Sequence, residues 1–131
     1  MNRLIVDTSA YIWYRKASAK VVAAIDGADR VLVSPIMIGE IVGGILGGSR
    51  LVENAANLDG FLSSPRVEVV SIDEETSRKY ATIWASLRRA GTPISQNDMW
   101  IAASAMQYGC RLLTTDKDFQ RVPQIEVDLV V

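Results

Sequence analysis

Acidic residues stand at the seams between short apolar runs and the helical patterns beside them, in a chain that contains no histidine. Asp7 ends Leu4-Ile5-Val6, and Asp98 opens the pattern Ile101-Ala102-Ala103. Asp116 and Asp118 follow Arg111-Leu112-Leu113-Thr114-Thr115, and Glu40 lies within the apolar stretch Ile36 to Ile45. Carboxylates without imidazoles point to a hard divalent cation as the reactive agent, because such ions prefer oxygen ligands.

Each acid also has an ordinary use. Asp7, before Thr8 and Ser9, suits a helix N-cap. Glu40 shares helical neighbours with Ile36, Met37, Gly43 and Gly44, where a buried unpaired carboxylate would be costly. It either meets a cation or reaches solvent at a rim. Asp98 lies three residues after Ser95, a cap-like start that the helix dipole favours. It also shares a helical face with the core-like Ile101, Ala102 and Ala105, which aims it inward. Asp116-Lys117-Asp118 could be a polar turn, in which only one of the two acids need face a site. Thr114 and Thr115 could hydrogen-bond a carboxylate. Together the acids say more than singly. Two carboxylates about 6 Å apart repel by roughly 3 kcal/mol at an effective dielectric near 20. A cluster of them on one rim needs a cation or protonation, and Mg²⁺ or Mn²⁺ suits such a set of oxygens.

The elements that must position these acids read as an alternation of strands and helices. Leu4 to Val6, Val31 to Val33, Val67 to Ile72, Arg111 to Thr114 and a segment near Ile125 to Val131 are expected strands. Helices are expected from Thr8 or Ser9, after an N-cap at Ser18 with Gly27 as its stop, and from Ser34-Pro35. Leu51, Ala55, Leu58 and Leu62 recur at helical spacing before Pro65. Asp73, Glu74 and Glu75 open the clearest helix and Arg88 and Arg89 close it, with Tyr80, Ile83, Trp84 and Leu87 as its apolar face. Another helix is expected from Asn97 to Tyr108. Gly43-Gly44 and Gly47-Gly48 weaken the helix that carries Glu40 and leave its course open. With Gly39 they would also let another helix approach, from this chain, a second copy or another protein. The alternation indicates an α/β domain with a mainly parallel sheet, in which ligands bind beyond the strands' carboxyl ends near a switch in strand order.

Composition sets the class. The 131 residues suit one domain, with 49% hydrophobic and 22% charged residues, as in an ordinary globular protein. No apolar run is long enough to span a membrane, and the first residues lack the basic-then-apolar pattern of a secretion signal. The single cysteine, Cys110, cannot pair within the chain, so a reducing, cytoplasmic setting is expected. The formal net charge of −1 argues against a strong nonspecific nucleic-acid binder but leaves a nuclease open, since acids gathered at a metal site lower the total.

Val6-Asp7-Thr8-Ser9, the helix with Glu40, Asn97-Asp98-Met99-Trp100-Ile101-Ala102-Ala103 and Leu113-Thr114-Thr115-Asp116-Lys117-Asp118-Phe119 resemble the PIN-domain ribonucleases, and most of all their VapC-type toxins. The likeness spans essentially the whole chain and implies one PIN domain over residues 1–131. The fold it implies is a three-layer α/β/α sandwich about a central mainly parallel sheet. It also implies a Mg²⁺- or Mn²⁺-dependent endoribonuclease, usually a homodimer, inhibited by a cognate antitoxin. The family's acidic quartet falls on Asp7, Glu40, Asp98 and Asp116, with Asp118 as an additional metal ligand. Thr8, Asn97 and Thr114 are expected to support them. An ion there would activate water for in-line attack on RNA, leaving 5′-phosphate and 3′-hydroxyl ends. Lys117, between two candidate ligands, and Arg15 are the expected RNA contacts. Two other readings stay open: a noncatalytic RNA-binding module of the same fold, and a phosphoacceptor or phosphatase-like α/β domain. The second would need an aspartate nucleophile with a well-placed lysine, which Lys117 beside Asp116 does not supply.

Overall fold

The computed structural model describes residues 1–130; Val131, the end of the expected last strand, lies outside the described residues. Five strands form the sheet: β1 (Arg3–Val6), β2 (Arg30–Val33), β3 (Val67–Val69), β4 (Arg111–Thr114) and β5 (Val127–Leu129). Six α-helices accompany them: α1 (Thr8–Arg15), α2 (Ala19–Asp26), α3 (Pro35–Leu46), α4 (Leu51–Leu62), α5 (Glu74–Ala90) and α6 (Gln96–Tyr108). A short 3-10 helix spans Lys117–Arg121. The strand order is β3-β2-β1-β4-β5 and every pairing is parallel. This is the parallel α/β arrangement expected from the alternation of elements, and the α/β/α sandwich that the family resemblance implied.

The three central strands are apolar on successive residues because helices cover both faces of the sheet. Leu4, Ile5, Val6, Val31, Leu32, Val33, Leu112 and Leu113 are all buried. The edge strands carry charge instead, which discourages further pairing. Glu68 on β3 lies 3.7 Å from Arg30, and Asp128 on β5 lies 3.5 Å from Arg111. β3 is shorter than its apolar run: Val70 still donates its amide to the Val33 carbonyl at 2.9 Å, but it lies past the strand with its side chain in the core.

Capping explains where the helices begin and end. Ser34 caps α3 ahead of Pro35, Asp73 and Thr76 form a reciprocal capping box on α5, and Ser95 caps α6. Gly91 and Gly109 close α5 and α6 at φ of 68° and 63°, a left-handed conformation that glycine adopts without steric cost. Ser18 occupies the N-cap position of α2 but makes no side-chain cap bond. α3 runs unbroken through Gly43 and Gly44 and stops at Gly47. A Cβ placed on Gly39, Gly43 or Gly44 would meet nothing within 4 Å, so nothing among the described residues makes the close approach those glycines permit.

The apolar face of α5 differs from its spacing. Ile83 and Leu87 are buried, but Trp84 is 44% exposed with the Arg88 guanidinium 5.0 Å above its ring. Tyr80 instead stacks on Trp100 at 4.2 Å and joins α5 to α6. Ile83→Ala is therefore expected to cost about 2–5 kcal/mol in denaturant unfolding and Trp84→Ala about 1 kcal/mol or less. Equal losses would overturn this assignment of the helix face.

Candidate active site

The order β3-β2-β1-β4-β5 reverses direction between β1 and β4, and the crevice beyond that pair is where open parallel sheets bind ligands. Asp7 follows β1 and Asp116 follows β4 at this crevice. The backbones are joined there by the Asp7 amide, which donates to the Leu113 carbonyl at 3.3 Å.

Asp7 is 3% exposed. Its Oδ1 accepts from the Ala10 amide at 2.8 Å, the N-cap bond of α1, and its Oδ2 accepts from the Thr114 hydroxyl at 2.6 Å. The Ser9 hydroxyl lies 2.8 and 2.9 Å from the two oxygens. Burial pushes the carboxyl above its ordinary range. The bonds from Thr114, Ala10 and Ser9 oppose that rise and the charge of Asp116 adds to it. Capping and a possible ligand role are compatible here: a carboxylate has about four lone-pair directions, and these donors supply three protons.

Asp98 lies on the first turn of α6, where its amide donates to the Ser95 hydroxyl at 3.2 Å. Its carboxyl is pushed up to about 6, chiefly by burial, with the Ser95 hydroxyl opposing and the charges of Asp116, Asp7 and Glu40 adding. Three acids from distant parts of the chain thus lie near enough to Asp98 to add to its proton affinity. Glu40 is exposed on α3, which packs against α1 and α6, and its Oε1 accepts from the Thr8 hydroxyl at 2.7 Å. Asp116 caps the 3-10 helix through the Asp118 amide at 2.9 Å, and its own amide donates to Thr114 Oγ1 at 2.9 Å. Asp118 lies 3.5 Å from the Arg121 guanidinium.

The donor set is oxygen throughout, as Mg²⁺ or Mn²⁺ requires. The negative charge concentrated at Asp98 and the free lone pair of Asp7 fit a cation. As the side chains lie, no three acids among the described residues are close enough to enclose an ion. Asn97 is exposed on the first turn of α6, and Lys117 is exposed at the start of the 3-10 helix. Arg15, with Glu40, Thr8, Asn54 and Asn57, lines a groove of about 340 Å³ beside α1, α3 and α4. The sequence names Ser9 as a helix start and as the last residue of the Val6-Asp7-Thr8-Ser9 motif, with no side-chain role of its own. Its reach to the Thr115 amide at 3.1 Å crosses 106 positions, and only the Asp-x-Ser spacing hints at its bond to Asp7.

Comparison with known proteins bears on this arrangement. The PIN domain model matches residues 4–125. Ribonuclease VapC4 of Mycobacterium tuberculosis is 36% identical over 95 residues, which is 72% of this chain and 73% of that protein. Ribonuclease VapC1 of Haemophilus influenzae strain R2866 is 28% identical over 127 residues, 93% of each. Among solved structures, DNA-bound VapBC from Salmonella typhimurium superposes with a TM-score of 0.87 at 27% identity, covering 98% of both chains. VapBC2 from Rickettsia felis bound to promoter DNA gives a TM-score of 0.87 at 22% identity, covering 96% of this chain and 97% of that one, a likeness of fold.

In metal-free protein, carboxyl NMR should find Asp98 titrating near pH 6. The folded value lies above the ordinary 3.8, so the folded state holds this proton more tightly than the unfolded chain. The stability it lends is complete below about pH 4 and is lost as pH rises through about 6. Asp98→Asn should flatten that fall in melting temperature; titration at or below about pH 4 would contradict the burial and charge described here.

Proposed function

Because the chain belongs to the PIN-domain family, we propose that it is a VapC-type endoribonuclease that cleaves RNA phosphodiester bonds with Mg²⁺ or Mn²⁺, as the toxin of a toxin–antitoxin pair. Residues 1–131 act as one domain in this reading. The observation that carries it is the placement of Asp7 and Asp116 at the β1–β4 crevice, with Asp98 and Glu40 close enough for their charges to meet there. Asp7, Asp98 and Asp116 would hold the ion, with Glu40 bound directly or through water and Asp118 assisting. Glu40 is exposed and Asp98 and Asp116 are half-buried, so these side chains have room to turn toward an ion. When bound, the ion supplies a Lewis acid for the phosphate and makes an attacking water more acidic.

The chain's own residues do the rest. Ser9 and Thr114 donate hydrogen bonds to Asp7 that favour its charged form against the effect of burial, and Thr8 donates one that holds the Glu40 side chain. Lys117 beside the crevice and Arg15 on the neighbouring groove offer positive charge to the RNA backbone. Without histidine, the imidazole route through the ribose 2′-hydroxyl is closed to this chain, and hydrolysis leaves 5′-phosphate and 3′-hydroxyl ends. A cognate antitoxin belongs to the same proposal, since the Salmonella typhimurium and Rickettsia felis structures are VapBC assemblies, and so does a homodimer. No helix among the described residues is long and apolar enough to cross a membrane.

Purified protein should cleave RNA with Mg²⁺ and stop in EDTA. Asp98→Asn should lower the rate on the order of 100-fold with the fold kept by circular dichroism. Undiminished cleavage by that folded variant would remove the site assignment, and undiminished cleavage in EDTA would remove the metal.

A further inference from the structure

Two hydroxyls stand between the Asp7 carboxylate and the turn that carries Asp116. Thr114 Oγ1 donates to Asp7 at 2.6 Å and accepts the Asp116 amide at 2.9 Å. Ser9 Oγ donates to Asp7 and accepts the Thr115 amide at 3.1 Å. A hydroxyl has one proton, and with that proton on Asp7 each oxygen keeps its lone pairs for an amide. The two amides are consecutive and lie where β4 gives way to the 3-10 helix. At the carboxyl end of the seam the backbone link is the Asp7 amide on Leu113; beyond it, these side chains set how far the two strand ends splay. One bridge would act as a pivot, whereas two bridges to successive amides also fix orientation. Thr114 grips from β4, and Ser9 grips from α1, on the far side of the seam.

We infer that Ser9 is a positioning residue: its hydroxyl, paired with Thr114, locks the turn bearing Asp116 to the Asp7 carboxylate and so presets the separation of two oxygen donors for one divalent ion. The inference rests on the metal-site reading above and adds to it a residue outside the acidic set. Asp7 and Thr114 are buried and Ser9 is half-buried, so a Ser9 variant takes a donor away from a nearly sealed carboxylate. Partners of this kind, bonded to a ligand rather than to the ion, typically set affinity by about 10–100-fold.

The test is Mn²⁺ binding to RNA-free protein, read by electron paramagnetic resonance of the free ion, with amide hydrogen exchange of Thr115 and Asp116 followed by NMR. Ser9→Ala should weaken Mn²⁺ about tenfold and speed exchange at Thr115, while Ser9→Thr, which keeps the hydroxyl, should return affinity to within about twofold. Unchanged affinity in Ser9→Ala, or a loss that Ser9→Thr fails to recover, overturns the inference. Wild-type protein that binds no Mn²⁺ overturns the metal reading instead. The exchange arm then decides on Ser9, and unchanged rates at Thr115 and Asp116 count against it. If Ser9→Ala does not fold, Ser9→Cys, of similar size and weaker hydrogen bonding, should show the same direction of change, and its absence counts against the inference.

Discussion

A charged oxygen group sealed inside the rim of the sheet governs much of this molecule. Taking a carboxylate out of water is costly unless donors replace the lost hydration. Asp7 meets that demand with two hydroxyls and one amide, drawn from α1 and from the end of β4. The same bonds start α1, close the seam between β1 and β4, and shape the turn into the 3-10 helix. Local structure and site geometry therefore rest on one set of contacts, and neither can shift without the other.

The parallel sheet explains why that group sits where it does. Strands covered on both faces have no room for polar side chains along their length, so chemistry collects at their carboxyl ends. The reversal of strand order beside β1 opens the crevice, and α6 and α3 bring Asp98 and Glu40 to it. Burial first, and then the charges of Asp116, Asp7 and Glu40, raise the proton affinity of Asp98, a like-charge cost that an ordinary surface would avoid by spreading the acids apart. Repelling carboxylates give a rim that attracts cations, with Asp7 held by hydroxyls and the more exposed Glu40, Asp98 and Asp116 left room to turn.

α3 shows a different compromise. Its interior glycines lower helix propensity, yet the helix persists because Met37 and Ile41 bury into the core and Ser34 and Pro35 start it well. Its outer side exposes Val42 and Leu46 beside the small glycine surfaces, and α4 continues with exposed Leu51 and Val52. Glu40 stands at the boundary between this face and the acidic rim.

The order and kind of the elements were legible in the residues themselves. Apolar runs at Leu4, Val31 and Leu112, caps at Ser34, Asp73 and Ser95, and the stop at Gly27 act through neighbours a few positions away, and those rules are local. So was the choice of Asp7, Glu40, Asp98 and Asp116 as candidates, since motif spacing and the lack of histidine are properties of the chain. Two things were not legible. The outward turn of Trp84 depends on how α5 docks on α6, where Trp100 takes Tyr80 as its partner. The double bridge of Ser9 and Thr114 joins atoms more than a hundred positions apart, and it exists only because the sheet lays β4 beside β1. Residue type limits which bonds a side chain can make; the fold decides which partner stands within reach.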